Sequence, residues 1–264
     1  MAGDLPGPDF WALIRPHTGE VTDVRPTEYR SDLTAAVECE TGRFFVKAMR
    51  NRPGGRRDQM LRERSINPFV RPIAPALLWA AEDEDWIVLG FEFVRARKAE
   101  FHPDSPDLPA VVALLNRIGE MALPEVAHDW RESRWDRFAD EGAPSLFRGD
   151  ALLHADINPS NLLVGSHGMW AVDWAWPTRG AAFIDPAMLV VQLISAGHSA
   201  ESAEAWTAGC KAWANADPKA IDAFAVATVR MWREVADRWP DGSWTRVIVS
   251  AAEAWAAHRG VVVA

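Results

Sequence analysis

Apolar residues recur along this chain with two different periods, and the change of period divides it. Val21–Pro26, Leu33–Glu40 and Arg43–Met49 are rich in β-branched and aromatic residues and read as strands, with Thr41-Gly42 as a hairpin turn between the last two. Pro53-Gly54-Gly55 interrupts the pattern, and Asp58–Ile66 predicts a short helix. Leu77–Ala81 and Trp86–Gly90 predict another strand pair, turned by the acidic residues 82–85. The order is β-β-β-α-β-β, with a hinge predicted near Phe91–Arg95. From Asp107 onward the period is helical, and Leu108–Met121, Arg131–Ala139, Pro186–Ala196, Ala200–Asn215, Lys219–Arg238 and Ser243–Arg259 are the predicted helices. Residues 151–174 form a short, irregular segment among them. No internal repeat and no low-complexity linker occurs.

Composition narrows the class. A chain of 264 residues, 48% hydrophobic and 25% charged, supports one large domain or two lobes with an ample core. A net charge of −9 argues against nucleic acid as the main partner. The basic cluster Arg50–Arg57 reads as a solvated loop between a strand and a helix. The longest apolar runs, such as Ala187–Val191, stop well short of a membrane span, and Met1–Pro6 is unlike a signal peptide. Cys39 and Cys210 are far apart in sequence and suggest reduced thiols, with a single long-range disulfide as the alternative. A cytoplasmic protein is expected.

The chemistry concentrates in His154-Ala155-Asp156-Ile157-Asn158-Pro159-Ser160-Asn161, followed by Val172-Asp173-Trp174. Two carboxylates and a carboxamide share one neighbourhood, flanked by apolar strand-like residues. The spacing is that of the protein-kinase pattern H-R-D-x-x-x-x-N with a later metal-binding Asp. Phosphoryl transfer requires such a set: a carboxylate to hold the acceptor hydroxyl and oxygen ligands for Mg²⁺. Asp156 is the expected base, and Asn161 and Asp173 are the expected Mg²⁺ ligands. Read plainly, Asp156 would instead be an Asx-turn residue, Asn161 a cap of the following strand and Asp173 a turn residue.

Ala155 in place of Arg, and Val172-Asp173-Trp174 in place of Asp-Phe-Gly, make the chain resemble the aminoglycoside phosphotransferase and choline kinase family of small-molecule kinases. The resemblance is specific around residues 150–186 and looser elsewhere. It implies an α+β, bilobal protein-kinase-like fold: a small β-sheet lobe for the nucleotide, residues 1–94, and a larger, mainly helical catalytic and acceptor-binding lobe, residues 95–264. It also implies ATP and Mg²⁺ in a cleft and transfer of the γ-phosphoryl group to a hydroxyl of a small molecule, such as an antibiotic or another natural product. On this resemblance Lys47 holds the α- and β-phosphates and Glu63 orients it. Ser31 offers a phosphate contact, and the backbone of Glu92 and Val94 pairs with adenine. His154 is a structural support. Asp185 hydrogen-bonds the catalytic loop from the next helix; with Pro186 behind it, it reads equally as a helix N-cap, and the two readings are compatible.

The chain departs from the protein-kinase pattern between its first two strands, where Thr27–Asp32 contains no glycine to let backbone approach phosphate closely. No GxxxxGK[ST] occurs, which excludes a P-loop enzyme. Two alternatives to the small-molecule kinase remain: a protein serine/threonine kinase and a non-catalytic nucleotide-binding regulator. A protein serine/threonine kinase would need a longer segment after Asp173 and an Ala-Pro-Glu motif. A non-catalytic nucleotide-binding regulator would have no need of Asp156. For the acceptor, Trp206 with Trp213 and Trp232 with Trp239 are spaced seven apart, predicting shared helix faces, either core or pocket wall. Glu204, Glu234 and Asp237 are the available carboxylates for a cationic acceptor. The charge of the acceptor stays open.

Overall fold

The computed structural model describes residues 5–27, 32–166, 168–239 and 242–263. The chain forms two compact units, residues 1–96 with 172–176 and residues 97–171 with 177–264.

In the first unit, helix α1 (Pro8–Thr18) precedes strands β1 (Val21–Pro26), β2 (Leu33–Cys39) and β3 (Gly42–Arg50), followed by helix α2 (Gly55–Val70) and strands β4 (Leu77–Glu82) and β5 (Trp86–Glu92). The strands form one antiparallel sheet in the order β1-β2-β3-β5-β4. Its two faces follow from the period of two. Phe44, Val46 and Ala48 of β3 join Leu33, Ala35, Val37 and Val88 on one face, which Phe10 and Ile14 of α1 close. Ile87, Leu89 and Phe91 alternate onto the other face with Met49, against Met60 of α2. Lys47 lies between Val46 and Ala48 in β3 and so points to the α2 side.

Three expectations for this unit need correction. Helix α1 is not predicted by the sequence pattern, because Pro8 and Pro16 mask its short apolar stripe; both sit in terminal turns, where a proline disturbs least. Helix α2 runs past Ile66 and past Pro68, since Asn67 is buried and ties its end down through Pro75 O (2.8 Å) and Leu77 N–H (2.7 Å). The β2–β3 turn is Glu40-Thr41 rather than Thr41-Gly42, with Cys39 paired to Gly42. Thr41 Oγ1 draws the turn onto α1 by donating to His17 O at 2.9 Å.

In the second unit come strand β6 (Ala96–Lys98), helix α3 (Leu108–Gly119), strands β7 (Ala151–Leu153), β8 (Leu162–Gly165), β9 (Gly168–Ala171) and β10 (Thr178–Gly180), and helices α4 (Ile184–Ser195), α5 (Ala200–Thr207), α6 (Lys211–Ala214), α7 (Pro218–Arg238) and α8 (Ser243–His258). β7 pairs with β10, and β6, β8 and β9 form a second small sheet. These strands give the segment 151–174 more order than its sequence suggests. α4 is buried along most of its length, and α7 packs antiparallel to α8, with Trp232 against Trp244 at one end and Asp222 bonded to Arg259, just past α8, at the other.

One predicted helix of this unit is absent and another is split. Residues 131–139 are not helical apart from a 3₁₀ turn at Asp136–Phe138. The reason is tertiary: Glu132 N–H donates to Arg179 O (2.9 Å) and Arg179 N–H to Trp130 O (2.7 Å), which draws the segment onto β10. The stretch 200–215 breaks into α5 and α6 at residues 208–210. Asn116 of α3 bridges the break, its amide donating to Gly209 O (2.9 Å) and accepting from Lys211 N–H (2.8 Å). The tryptophan pairs therefore do not share helix faces. Trp206 and Trp213 stand on separate helices, and Trp239 lies beyond the end of α7, 66% exposed. No helix among the described residues is long and apolar enough to cross a membrane.

Candidate active site

The loop from His154 to Asn161 leaves β7 and is held by a buried carboxylate. Asp185 accepts the backbone N–H of His154 at Oδ2 and of Ala155 at Oδ1, both at 2.8 Å. It lies in the first turn of α4, whose N-cap is Phe183, so the capping reading of Asp185 is replaced by this contact. Burial pushes the Asp185 pKa up, and its hydrogen bonds and the neighbouring His154 and Arg134 only partly oppose the rise. His154 is fully buried, and its Nδ1 accepts the N–H of Asp156 (3.3 Å). Ala155 adopts a left-handed conformation, φ 60°.

Asp156 is half-buried and engaged at both oxygens. Asn158 donates to Oδ1 (3.2 Å) and Asn161 to Oδ2 (2.9 Å), and both amides also reach Asp156 O, at 3.1 and 2.9 Å. The Asx turn of this loop belongs to Asn158, whose Oδ1 accepts Ser160 N–H at 2.9 Å, and not to Asp156. Carboxylate and carbonyl oxygens only accept, so these contacts orient the Asn161 amide with its nitrogen toward Asp156. Its oxygen accepts no hydrogen bond from the described residues. An oxygen donor left in this way suits a hard cation such as Mg²⁺.

Lys47, Glu63 and Asp173 meet within the first unit. Lys47 Nζ donates to Glu63 Oε1 (2.8 Å) and Oε2 (3.0 Å) and to Asp173 Oδ1 (2.7 Å). Glu63 is buried, at 4% exposure. Burial alone would lower the Lys47 pKa, but the two carboxylates hold it well above its ordinary value, so the ammonium persists at any working pH. Asp173 has φ 62°, and it and Ala155 are the two left-handed non-glycine residues among those described. A conformation that costs about 1–3 kcal/mol recurs where surrounding contacts over-determine it.

The remaining expected contacts are less built. Glu92 N–H, expected to face a nucleotide base, is instead committed to Ala76 O (2.8 Å). Val94 lies beyond the end of β5 and is half-buried. Ser31 lies outside the described residues. Of the acids considered for a cationic acceptor, Glu204 is occupied by Trp255 Nε1 and Arg259 Nη1, each at 2.7 Å. Glu234 is paired with Arg137 (2.6 Å) and with Arg238. Asp237 is exposed. No group of three or more His, Cys, Asp or Glu poised for a metal occurs among the described residues.

Sequence reasoning missed Glu132 and Arg134. Glu132 is 1% exposed and takes Arg134 Nη2 (2.7 Å) and Nε, the Arg134 N–H (2.8 Å) and Thr178 Oγ1 (2.9 Å). Arg134 Nη2 also donates to Ala155 O at 2.7 Å. Only the pairing of β10 with β7 brings these residues to the loop, and no spacing in the sequence announces it.

Neither a protein-family model nor a curated protein sequence matches the chain. Solved structures do. Choline kinase LicA from Streptococcus pneumoniae aligns with a TM-score of 0.66 at 12% identity, over 95% of this chain and 98% of that one. The microcompartment-associated aminopropanol kinase aligns with a TM-score of 0.61 at 17% identity, over 96% and 99%. A spectinomycin phosphotransferase in complex with ADP and spectinomycin aligns with a TM-score of 0.60 at 12% identity, over 95% and 94%. The chain has the α+β kinase-like fold of these proteins, a five-stranded antiparallel sheet in one unit and a mainly helical second unit.

Proposed function

We propose that this protein is an ATP- and Mg²⁺-dependent phosphotransferase that moves the γ-phosphoryl group to a hydroxyl of a small molecule. The observation that carries the reading is Lys47 Nζ held between the buried Glu63 and Asp173. A permanently charged ammonium fixed in this way suits phosphate oxygens, and a structural ion pair would have no need of the second carboxylate at a left-handed residue. The fold supports the same reading, since its structural neighbours include kinases of choline, aminopropanol and spectinomycin.

Each residue then has a task. Lys47, oriented by Glu63, binds the α- and β-phosphates. Asp173 and the free oxygen of Asn161 are ligands for Mg²⁺, which when bound neutralises charge on the phosphates. Asp156 accepts a hydrogen bond from the acceptor hydroxyl and takes its proton as the oxygen bonds to phosphorus and ADP leaves. Asn158 and Asn161 hold that carboxylate in one rotamer. Glu92 and Val94 pair with the base through backbone, and residues 95–264 supply the acceptor side.

The test is a phosphoryl-transfer screen with MgATP across aminoglycosides, nucleoside antibiotics, amino alcohols and sugars, read as ADP release and as a phosphorylated product. Stimulation by at least one class, absent from Asp156→Ala, is expected. ADP release unaffected by any acceptor, and unaffected by the substitution, overturns the proposal.

A further inference from the structure

We infer that Arg134, anchored by Glu132, is the positioning residue of the catalytic loop: it holds the Ala155 peptide in its left-handed conformation and thereby aims Asp156. The inference rests on the reading of Asp156 as the base.

The loop pattern H-x-D carries Ala155 where protein kinases carry arginine. A guanidinium nevertheless reaches this position from another element, since Arg134 Nη2 donates to Ala155 O at 2.7 Å. The Ala155 peptide is thus fixed from both ends: its N–H by Asp185 Oδ1 (2.8 Å) and its carbonyl by Arg134. That carbonyl belongs to the peptide bond joining Ala155 to Asp156, so its direction sets where the Asp156 side chain leaves the backbone.

Conformation makes the clamp necessary. Ala155 sits at φ 60° with a Cβ, a state that L-residues avoid, and it is fully buried. Without an external hold the peptide would relax toward negative φ and carry Asp156 with it.

Arg134 is itself immobilised. Its guanidinium lies against both oxygens of Glu132, which Thr178 of β10 also meets. Burial would raise the Glu132 pKa, but the arginine and its hydrogen bonds hold it below the usual carboxylate value, so the anchor stays charged. A general stabilising ion pair would need no contact with Ala155. The Nη2 bond to the Ala155 carbonyl is what assigns the pair to Asp156.

The test uses the full chain, with MgATP hydrolysis to water as the activity and the ¹³Cα and ¹³Cβ shifts of Ala155 as the conformational signature, assigned by their loss in Ala155→Gly. Arg134→Ala is expected to lower kcat by about 30-fold or more, with KM for ATP within about threefold, as a misaimed group does. The Ala155 shifts should leave the left-handed range. Because Arg134→Ala strands the buried Glu132 charge, the neutral pair Glu132→Gln/Arg134→Met provides a second variant that should fold and show the same loss. Glycine reaches φ 60° without strain, so Ala155→Gly added to either variant should restore kcat by about fivefold or more relative to that variant without it. A purely structural ion pair would not be rescued by a glycine. Parental kcat and unchanged Ala155 shifts in the Arg134 variants, with Asp156→Asn inactive, overturn this inference alone. Hydrolysis retained in Asp156→Asn overturns the reading of the base beneath it.

Discussion

Asn161 donates its side-chain amide to Asp156 Oδ2 and to Asp156 O, both at 2.9 Å, and so couples the carboxylate proposed as the base to an oxygen that suits a metal. On the proposed function the first acts on the metal–nucleotide and the second on the acceptor, so the two should fail differently. Asp156→Ala is expected to abolish transfer while leaving Mg·ATP affinity within about threefold, because the base contributes to the transition state more than to nucleotide binding. Turnover within tenfold of the parent, about 1.4 kcal/mol in barrier, would refute the assignment. Asn161→Ala and Asp173→Ala should instead lose Mg²⁺-dependent nucleotide affinity, read by calorimetry at several Mg²⁺ concentrations. Unchanged metal dependence in both would remove them as ligands.

Lys47 has two carboxylate partners, and their order of importance is testable. Lys47→Ala should raise KM for ATP or lower kcat by about 100-fold, the scale of removing a preorganised charge from a developing anion. Glu63→Ala should be milder, since Asp173 still holds the ammonium at 2.7 Å. Steady-state kinetics of the two variants decide it: a Glu63→Ala enzyme worse than Lys47→Ala means that Glu63 does more than orient the lysine.

Asp185→Asn tests the loop anchor with almost no change in volume. Both carboxylate oxygens accept a backbone N–H, so an amide must present a donor to one of them. One buried N–H then loses its partner, which costs about 1–3 kcal/mol. Urea denaturation should show that loss, and amide exchange at Ala155 or His154 should accelerate. Equal stability in the variant would mean that the contact is replaced locally.

The sequence is most informative where function forces residue types into a short window. Asp156, Asn161 and Asp173 stand out by spacing, and Lys47 with Glu63 stands out because β3 and α2 follow one another in the chain. The alternation in β3 and β5 similarly announces both faces of the sheet. What is not legible depends on contacts between distant segments. Residues 131–139 have a helical period, yet backbone pairing with β10 overrides it. The run from Ala200 to Asn215 reads as one helix until Asn116, some ninety residues earlier, supplies the hydrogen bonds that split it. Glu132 and Arg134 belong to the same class. Their sequence is an ordinary charged stretch, and their place beside Ala155 exists only after β7 and β10 pair.

Gly90 illustrates a packing constraint invisible in the pattern of β5. A Cβ built on it would lie 2.0 Å from Trp79 Cε2, because the indole of β4 lies directly across the glycine. Trp79 is in turn stacked on His17 of α1 at 5.2 Å between ring centres. Gly90→Ala must therefore displace the indole, and an overpacked core site costs about 1–3 kcal/mol. The double variant Gly90→Ala/Trp79→Leu should recover part of the loss in thermal denaturation. No recovery would place the strain in the strand backbone rather than in the ring.

The acid side of the stability profile should be shaped by Glu132 and Asp185 acting in opposite directions. Burial raises the Glu132 pKa, but Arg134 and Thr178 more than offset it, so the folded value lies below the unfolded value of about 4.3. Between the two values the unfolded chain binds more protons, so stability falls as pH drops through this window. Asp185 is raised by burial, so the folded chain binds more protons than the unfolded one above about 3.9, and its contribution to stability is lost as pH rises through the folded value. Glu132→Gln should flatten the dependence of unfolding free energy on pH below about 4.3, and Asp185→Asn should steepen it above about 3.9. Urea unfolding of both variants and the parent at pH steps from about 3 to 6 reads the two slopes directly. Slopes shifted in the same direction by both substitutions would mean that one of the two carboxyl groups does not carry the charge state that its surroundings in the fold imply.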